Sequence, residues 1–168
     1  MDDLADTAAP TIDSARFRQV LGHFCSGIVI ITGMDGDDAV GLTCQSFSSV
    51  SLDPPLILFC PATTSSSWPR IRNSGAFAVN ILSSEQEDVC RLFATKGADK
   101  FRGVGWEAGA TGSPIIRDVL AWMDCRIEVE HDAGDHTIVV GRVVELHVED
   151  EPDGPLLFYR GGYGRFEP

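Results

Sequence analysis

The sequence predicts a mainly β protein with a few short helices, folded as a closed or nearly closed antiparallel barrel. About eight short apolar or alternating segments are separated by Gly, Asp and Pro, which is the pattern of successive strands joined by tight connections. The helical segments between them are few and short. Closure of the sheet is expected because it removes exposed strand edges.

The first half of the chain is predicted to contain a helix followed by five strands. Phe17, Val20 and Leu21 fall at helical spacing, so a short amphipathic helix is expected over residues 13–24, with this apolar stripe covering the core. The acidic residues 1–12 are expected to form a flexible tail before a single domain that spans 13–168. The predicted strands cover residues 28–32, 39–43, 46–51, 56–60 and 76–82.

Two short helices are predicted to interrupt these strands. The first covers residues 67–73, because Pro69 suits the first turn of a helix. The second covers residues 84–94 and begins with a capping box, in which the side chains of Ser84 and Glu87 each accept a hydrogen bond from the other's backbone N–H group. Its apolar residues are expected to pack in the core.

The second half is predicted to contain a long antiparallel hairpin. Residues 121–131 alternate between apolar and polar side chains, which places Asp124 and the other polar residues on a solvent face. A loop at 132–135 leads into a second strand over residues 137–148, and a last strand is predicted at 156–159.

Composition limits the possible functions. The 168-residue chain has a formal net charge of −12, which repels phosphate backbones and argues against nucleic acid as the main partner. No segment approaches the roughly 20 apolar residues of a membrane helix, and the acidic start lacks the features of a secretory signal. Five scattered cysteines without a C-x-x-C pair suit reduced thiols in a cytoplasm. The histidines and cysteines lack metal-ligand spacing, so no metal is predicted.

The segment from Gly41 to Pro55, GLTCQSFSSVSLDPP, is the most informative part of the chain. Short hydroxyl side chains lie between two predicted strands, and a rigid double proline ends the segment. Backbone N–H groups and short Ser and Thr side chains can approach a long, flat ligand with a phosphate tail without steric clash. Flavin mononucleotide (FMN) is a ligand of this kind.

Five motifs in a fixed order resemble the short-chain flavin reductases. They are GLTCQSFSSVSLDPPL at residues 41–56, FAVNIL at 77–82, KF at 100–101, GDHT at 134–137 and RGGYG at 160–164. Each motif alone is weak, but the ordered set is specific. The resemblance implies a split β-barrel of the FMN-binding type and a homodimer. It also implies an NAD(P)H-dependent reductase that supplies reduced FMN or FAD to a separate monooxygenase, which hydroxylates an aromatic or related compound.

The resemblance also implies which residues bind the flavin. Matching the motifs to this sequence gives three groups of flavin residues. One wall of the site consists of Thr43, Cys44, Gln45, Ser46 and Ser48, and a second strip consists of Cys60, Thr63, Thr64, Ser65, Ser66 and Ser67. Further contacts are Ala94, Lys100 and Phe101. Lys100 is the candidate partner of the flavin phosphate. The helix predicted to begin near Ser67 would add N–H donors and a partial positive charge.

The nicotinamide nucleotide is expected to contact His136 and Tyr163. His136 matches the family residue beside that nucleotide, and the glycines around Tyr163 allow it to approach the site. Hydride transfer from nicotinamide C4 to flavin N5 needs no protein nucleophile or metal, so no catalytic side chain is predicted. NADH is favoured over NADPH, because the acidic chain offers no Arg cluster for a 2′-phosphate.

Two other functions stay open on the sequence. A flavin-binding module on the same barrel would hold FMN for electron transfer or sensing, without turnover of a nicotinamide nucleotide. A relative of pyridoxamine-phosphate oxidase would share a similar barrel but would need a basic cluster for its substrate phosphate. Few Lys or Arg residues lie near the Gly41 to Pro55 segment, which disfavours that second alternative.

Overall fold

The computed structural model describes residues 12–150 and 154–166. Within these ranges the chain forms three α-helices and twelve β-strands, many of them short. All the paired strands run antiparallel, so the predicted mainly β fold with a few short helices is confirmed. Most of the predicted N-terminal tail, residues 1–11, lies outside the described residues, and Ile12 is exposed.

Seven strands form the main sheet. Their bounds are β2 (Val29–Asp35), β3 (Asp38–Cys44), β4 (Phe47–Leu52), β5 (Pro55–Phe59), β6 (Ala76–Ile81), β9 (Ala121–Ala133) and β10 (His136–Val148). Their order across the sheet is β3, β2, β6, β9, β10, β5 and β4. The corresponding predicted strands are confirmed, with ends displaced by at most three residues.

The two edges of the main sheet lie next to each other in the chain. Only Gln45 and Ser46 separate β3 at one edge from β4 at the other, so the sheet must curl until its edges meet. Among the described residues no strand ladder joins β3 to β4, so the barrel is split along this line. We call the junction of the two edges the seam, and its residues are 44–47 and Cys60.

Two smaller sheets complete the β structure. The first contains β1 (Ser26–Gly27), β11 (Leu156–Tyr159) and β12 (Gly162–Arg165), and the second pairs β7 (Trp106–Ala108) with β8 (Pro114–Ile116). Sequence reasoning found only β11 of these five. The other four contain two to four residues each, which is too short for an alternating pattern to stand out.

The core consists of two apolar clusters. Aromatic rings dominate the first cluster, where Phe59 packs edge to face on Trp68 at 5.2 Å and on Phe77 at 5.0 Å between ring centroids. The second cluster joins residues of the main sheet with Phe93 and Leu156. Phe93 therefore ties a helix to the barrel on the side where the predicted flavin residues lie.

The helices are α1 (Ser14–Leu21), α2 (Trp68–Arg72) and α3 (Glu87–Ala94). The prediction that an apolar stripe of α1 covers the core is wrong, because Phe17, Val20 and Leu21 are 53%, 62% and 54% exposed. Helical spacing shows that a helix has an apolar face but does not show what that face contacts.

The predicted capping box of α3 is also wrong. The helix begins at Glu87, and the Ser84 hydroxyl donates to the side chain of Glu85 at 3.5 Å. The backbone N–H of Ser84 donates to the Gly154 carbonyl at 2.8 Å, which holds this segment against the chain before β11. The predicted hydrogen bond from the Ser84 N–H back to Glu87 is replaced by one a residue earlier, in which Gln86 Oε1 accepts from the Ser83 N–H at 3.1 Å.

Asp124 on β9 departs from the predicted alternation. It is fully buried instead of facing solvent, and its carboxylate accepts hydrogen bonds of 2.6 Å from the backbone N–H and the hydroxyl of Thr111. The segment between β7 and β8 covers this face of β9. The register shifts in the β9–β10 ladder accompany this change of face.

Candidate functional site

Seven of the predicted flavin residues line one cleft of about 230 Å³, which we call the first cleft. They come from β3, from the loop at 61–67, from the end of α3 and from the segment after it, and are Thr43, Thr64, Ser65, Ser66, Ser67, Ala94 and Lys100. Leu42, Ala62, Phe93 and Lys96 complete the lining. The structure thus brings together residues that are up to 57 positions apart in the chain, from Thr43 to Lys100.

Lys100 is held at the base of the first cleft by two neutral acceptors. Its Nζ donates to the Gly41 carbonyl oxygen at 2.9 Å and to the Ser67 Oγ at 3.2 Å. An ammonium group has three N–H donors, so one of them remains for a ligand. Partial burial lowers the pKa of Lys100 below its ordinary value of 10.5. Lys100 is therefore a cation held in a fixed position, with one N–H group available to donate a hydrogen bond to a ligand.

Five residues of the loop at 61–67 line the same cleft, namely Ala62, Thr64, Ser65, Ser66 and Ser67. The Ser65 Oγ accepts from the N–H of Trp68, the first residue of α2, at 3.1 Å. The N-cap of α2 is Ser67, so the predicted helix start near Ser67 is confirmed. Among the described residues, the backbone N–H groups of Ser66 and Ser67 donate to no protein acceptor. Because α2 has only five residues, its dipole is small. Individual N–H groups and Lys100 therefore contribute more than the helix dipole to the attraction of an anion.

Helix α3 packs closely on β3 and forms another wall of the first cleft. The Thr43 Oγ1 donates to the Cys90 carbonyl oxygen at 2.8 Å. A Cβ atom at position 41 would lie only 2.5 Å from Cε1 of Phe93, so the close approach of the helix requires glycine there. Phe101 packs edge to face on Phe93 at 5.1 Å but does not line this cleft.

Four more predicted flavin residues lie at the seam, namely Cys44, Gln45, Ser46 and Cys60. The Ser46 hydroxyl donates to the Cys60 carbonyl oxygen at 3.0 Å and accepts from the Cys60 N–H at 3.1 Å. It lies 3.2 Å from the sulfur of Cys44, and burial raises the pKa of that thiol. Gln45 is exposed at the corner between the two strands. Ser48 is exposed on β4, and its hydroxyl donates to the Ser49 carbonyl at 3.1 Å.

His136 lies beside the loop that lines the first cleft. Its backbone pairs with Ala62, and the hydroxyl and N–H of Thr63 both donate to the Asp135 carbonyl, at 3.0 and 2.9 Å. The His136 Nδ1 lies 2.8 Å from a carboxylate oxygen of Asp135, and this contact lowers the pKa of Asp135. The predicted nicotinamide residue is thus attached to the predicted flavin strip through backbone hydrogen bonds.

Tyr163 on β12 contacts the other side of α3. Its phenolic oxygen accepts from the Cys90 thiol at 3.5 Å, and the Arg91 guanidinium lies 4.5 Å from the centre of its ring. The hydrogen bond with Cys90 and partial burial raise the pKa of Tyr163. Tyr163 does not line the first cleft. It is connected to that cleft through Cys90, whose carbonyl oxygen also receives the hydrogen bond from Thr43.

Sequence reasoning missed Lys96 and a second cleft that adjoins the first. Lys96 lines the first cleft, so both lysines of this strongly acidic chain lie at one site. That pairing was visible in the sequence as two lysines four residues apart. The second cleft is larger, about 460 Å³, and it shares Ser66, Ser67 and Lys100 with the first. No sequence motif indicates it, because its lining comes from separate segments.

Across residues 12–150 and 154–166, no group of His, Cys, Asp and Glu side chains is arranged to hold a metal ion. None of the three helices in those ranges has the length and apolar character needed to cross a membrane.

The chain was compared with protein families, curated proteins and solved structures. The model of the flavin reductase like domain matches residues 21–167. The reductase subunit HsaB of a flavin-dependent monooxygenase from Rhodococcus jostii is 50% identical over 161 residues, which cover 96% of this chain and 82% of that protein.

Two solved structures show the same fold. Nitrilotriacetate monooxygenase component B from Mycobacterium thermoresistibile is 48% identical with a TM-score of 0.89, and the match covers 92% of this chain and 87% of the other. The NADH:FAD oxidoreductase SgcE6 from Streptomyces globisporus, in complex with NAD and FAD fragments, is 34% identical with a TM-score of 0.87. That match covers 95% of this chain and 98% of the other.

Proposed function

This chain belongs to the flavin reductase like family, and on that premise we propose that it is an NADH-dependent flavin reductase that supplies reduced flavin to a partner monooxygenase. The single observation that carries the proposal is the first cleft, where Lys100 and the loop hydroxyls meet in a chain of net charge −12. A cation placed there in an otherwise acidic protein is suited to bind the phosphate of a flavin nucleotide.

The residues present fit a flavin. The third N–H of Lys100 and the unused N–H groups of Ser66 and Ser67 are donors for a phosphate. At about 230 Å³ the first cleft is smaller than the roughly 300–1000 Å³ of a typical ligand site, so it accounts for the ribityl phosphate end only. We assign the flat ring to the seam, along Cys44, Gln45 and Ser46.

When bound, the flavin accepts a hydride from the nicotinamide, and this cofactor chemistry requires no protein nucleophile. The task of the chain is therefore to bind and orient both nucleotides. Thr43 holds one wall of the cleft by its hydrogen bond to Cys90, and Ser46 fixes the seam by its two hydrogen bonds to Cys60. These contacts hold the polar wall in place, so a flavin seated against it would present its other face to NADH.

We assign the nicotinamide nucleotide to the side of the flavin where His136 lies. The ring of His136 is partly exposed and is oriented by Asp135 at 2.8 Å, so it is free to donate to a phosphate or to the carboxamide. Tyr163 is assigned to the same nucleotide, with Arg91 and Cys90 holding its ring on the outer side of α3. Both assignments come from the family motifs, and the contacts of His136 with the flavin loop support the first.

We also propose that the enzyme is a homodimer of the cytoplasm. The apolar residues of α1, Phe17, Val20 and Leu21, are exposed in the single chain, and so is Phe24 just after the helix. A contiguous apolar surface of this kind is suited to contact with a second copy. All five cysteines are free, which suits a reducing compartment, where the partner oxygenase would receive diffusing reduced flavin.

The experiment that tests the proposed function is steady-state oxidation of NADH by the purified protein, without flavin and then with FMN, FAD or riboflavin. The protein should accelerate NADH oxidation only when a flavin is added or retained. A protein that binds flavin but does not accelerate NADH oxidation is instead a flavin-binding module for electron transfer or sensing.

A further inference from the structure

Two free cysteines lie on opposite sides of the seam. Cys44 is the last residue of β3, and Cys60 directly follows β5. The Ser46 hydroxyl lies 3.2 Å from the Cys44 sulfur and is hydrogen-bonded to the N–H and the carbonyl oxygen of Cys60, at 3.1 and 3.0 Å. The Cys60 N–H also donates to the Ser46 carbonyl oxygen at 3.2 Å. A single serine side chain therefore bridges the Cys44 sulfur and the backbone of Cys60.

The two thiols differ in their access to solvent. Cys44 is 6% exposed and belongs to the aromatic core cluster, whereas Cys60 is partly exposed. Burial raises the pKa of Cys44, hydrogen bonds from Ser46 and from the Cys60 backbone lower it in part, and the nearby Cys60 thiol raises it further. Redox-sensing cysteines are accessible to solvent and have a second cysteine close by that resolves the first oxidation product. Cys60 and Cys44 are suited to these two roles.

We propose that Cys60 and Cys44 form a reversible disulfide that closes the seam to flavin. This inference rests on the proposed function, which assigns the flavin ring to Cys44, Gln45 and Ser46. The proposed function also supplies the oxidant, because reduced flavin that reacts with oxygen yields hydrogen peroxide. Disulfides in a reducing compartment are usually transient and redox-sensing, and this pair is of that kind.

The disulfide forms in two balanced steps. Hydrogen peroxide oxidises the Cys60 thiol to a sulfenic acid and releases one molecule of water. The Cys44 sulfur then attacks the sulfur of that sulfenic acid, and the hydroxyl group leaves with the Cys44 proton as a second water. In total the two thiols lose two electrons and two protons, and the peroxide is reduced to water. A thiol reductant returns both cysteines to their free form.

The new bond changes the wall to which the flavin ring is assigned. The two sulfurs of a disulfide lie about 2 Å apart, so the Cys44 sulfur must turn from Ser46 towards Cys60. The two hydrogen bonds by which Ser46 fixes the seam end on the backbone of Cys60, so they are disturbed as well. Lys100 lies in the first cleft and not at the seam. The disulfide therefore weakens binding of the ring and leaves the phosphate site as it is.

The test begins with wild-type protein that is reduced, freed of reductant and flavin, and treated with hydrogen peroxide. Mass spectrometry after digestion with chymotrypsin should detect a peptide pair joined through Cys44 and Cys60, because chymotrypsin cuts after Phe47, between the two cysteines. In Cys44→Ser, dimedone, which labels sulfenic acids, should label Cys60. Cys25→Ser is the matched control and should still form the disulfide, because Cys25 is an exposed cysteine outside the seam. Circular dichroism checks that each variant is folded.

Dissociation constants of riboflavin and FMN are then measured by fluorescence before and after oxidation. Oxidation of the wild type and of Cys25→Ser should weaken both flavins by the same factor, about tenfold, and dithiothreitol should reverse the change. In Cys60→Ser, oxidation should change either constant by about twofold at most.

Absence of the joined peptides, a disulfide to another cysteine instead, or a joined protein with unchanged flavin affinity would each overturn the inference. So would a loss of affinity for FMN alone, because it would place the effect at the phosphate. The joined peptides are detected without flavin or NADH. This result therefore stands even if NADH oxidation is absent and the proposed function fails.

Discussion

Lys100 and Ser67 are joined by a hydrogen bond of 3.2 Å, from the lysine Nζ to the serine hydroxyl. This bond links the segment after α3 to the start of α2, and both residues line the first cleft and the second. The ammonium is thereby fixed beside Ser67, whose backbone N–H, like that of Ser66, donates to no protein acceptor among the described residues. A phosphate bound there would complete an arrangement that the protein already holds in place.

Replacing Lys100 tests this phosphate assignment. We expect Lys100→Ala to raise the dissociation constant of FMN about tenfold or more, because a hydrogen bond to a charged group contributes about 1.5–3 kcal/mol. Riboflavin lacks the phosphate, so its affinity should stay within a factor of two. Lys96→Ala is the comparison, since it removes the other lysine of the cleft, whose side chain is exposed, and should have the smaller effect. Equal weakening of riboflavin and FMN by Lys100→Ala would refute the assignment.

The pH dependence of FMN binding provides a second test of Lys100. Burial lowers the pKa of this lysine below 10.5, so the free protein loses the cation at a lower pH than an ordinary lysine would. The affinity for FMN relative to riboflavin should therefore begin to fall below pH 10.5 as the solution becomes alkaline. In Lys100→Arg the guanidinium keeps its charge, so this fall should disappear. The same fall in the arginine variant would assign it to another group.

The lowered pKa of Lys100 has an opposite effect on stability. The unfolded chain keeps the proton of this lysine up to its ordinary pKa of 10.5, so it binds more protons than the folded chain in the window just below that value. The contribution of Lys100 to the free energy of unfolding therefore rises with pH across this window. Alkaline pH relieves the burial of a charge while it weakens the binding of the phosphate.

His136→Ala tests the assignment of the nicotinamide nucleotide. This change should raise the KM for NADH about tenfold, as expected for one lost hydrogen bond to a charged phosphate, and leave the dissociation constant of FMN within a factor of two. His147→Ala is the matched control, because His147 is an exposed histidine at the far end of the same strand. The assignment is wrong if FMN binding weakens as much as NADH binding.

Gly41→Ala tests the packing that forms the first cleft. The new methyl group would lie 2.5 Å from Phe93, so α3 must move away from β3. We expect a loss of about 1–3 kcal/mol in the free energy of unfolding, measured with urea, together with weaker FMN binding. Gly27→Ala is the control, since no atom lies within 4 Å of a Cβ there. A stable Gly41→Ala protein with unchanged FMN affinity would show that this close approach does not shape the site.

The dimer is tested through the exposed face of α1. Phe17→Glu combined with Leu21→Glu should convert a particle of twice the 18.1 kDa chain mass into a monomer, as measured by light scattering after size-exclusion chromatography. Leu52→Glu on β4 is the control, because Leu52 is also highly exposed but lies on a different element. A wild-type protein that is already monomeric contradicts the proposal.

Much of the fold could be predicted from local pattern, because alternation and turn residues depend on neighbours in the chain. Three predictions are wrong because local pattern does not show which distant segments of the chain pack together. The apolar stripe of α1 was visible, but its exposure was not. Asp124 belongs to an alternating strand, yet a segment at Thr111 covers it and supplies its hydrogen bonds. Ser84 has the sequence context of a helix cap, but its backbone N–H donates to the carbonyl oxygen of Gly154.

In the candidate site, too, some residues could be predicted from the sequence and others depend on contacts between distant segments. Seven of the residues marked by family motifs lie in one cleft, and their roles in binding stay predictions. Lys96 belongs to no such motif, and the second cleft is made of segments that meet only in three dimensions. Its Arg70 carries a charge that two aspartates neutralise, which the sequence alone does not reveal.

We expect flavin held by this protein to keep one face open to NADH. This is tested by a rapid-mixing measurement without oxygen, in which FMN bound to the protein is mixed with NADH and the loss of oxidised flavin absorbance is followed. We predict loss of the absorbance with one NADH consumed per flavin, at a rate far above that of free FMN with NADH. Bound FMN that is reduced no faster than free FMN would contradict the account.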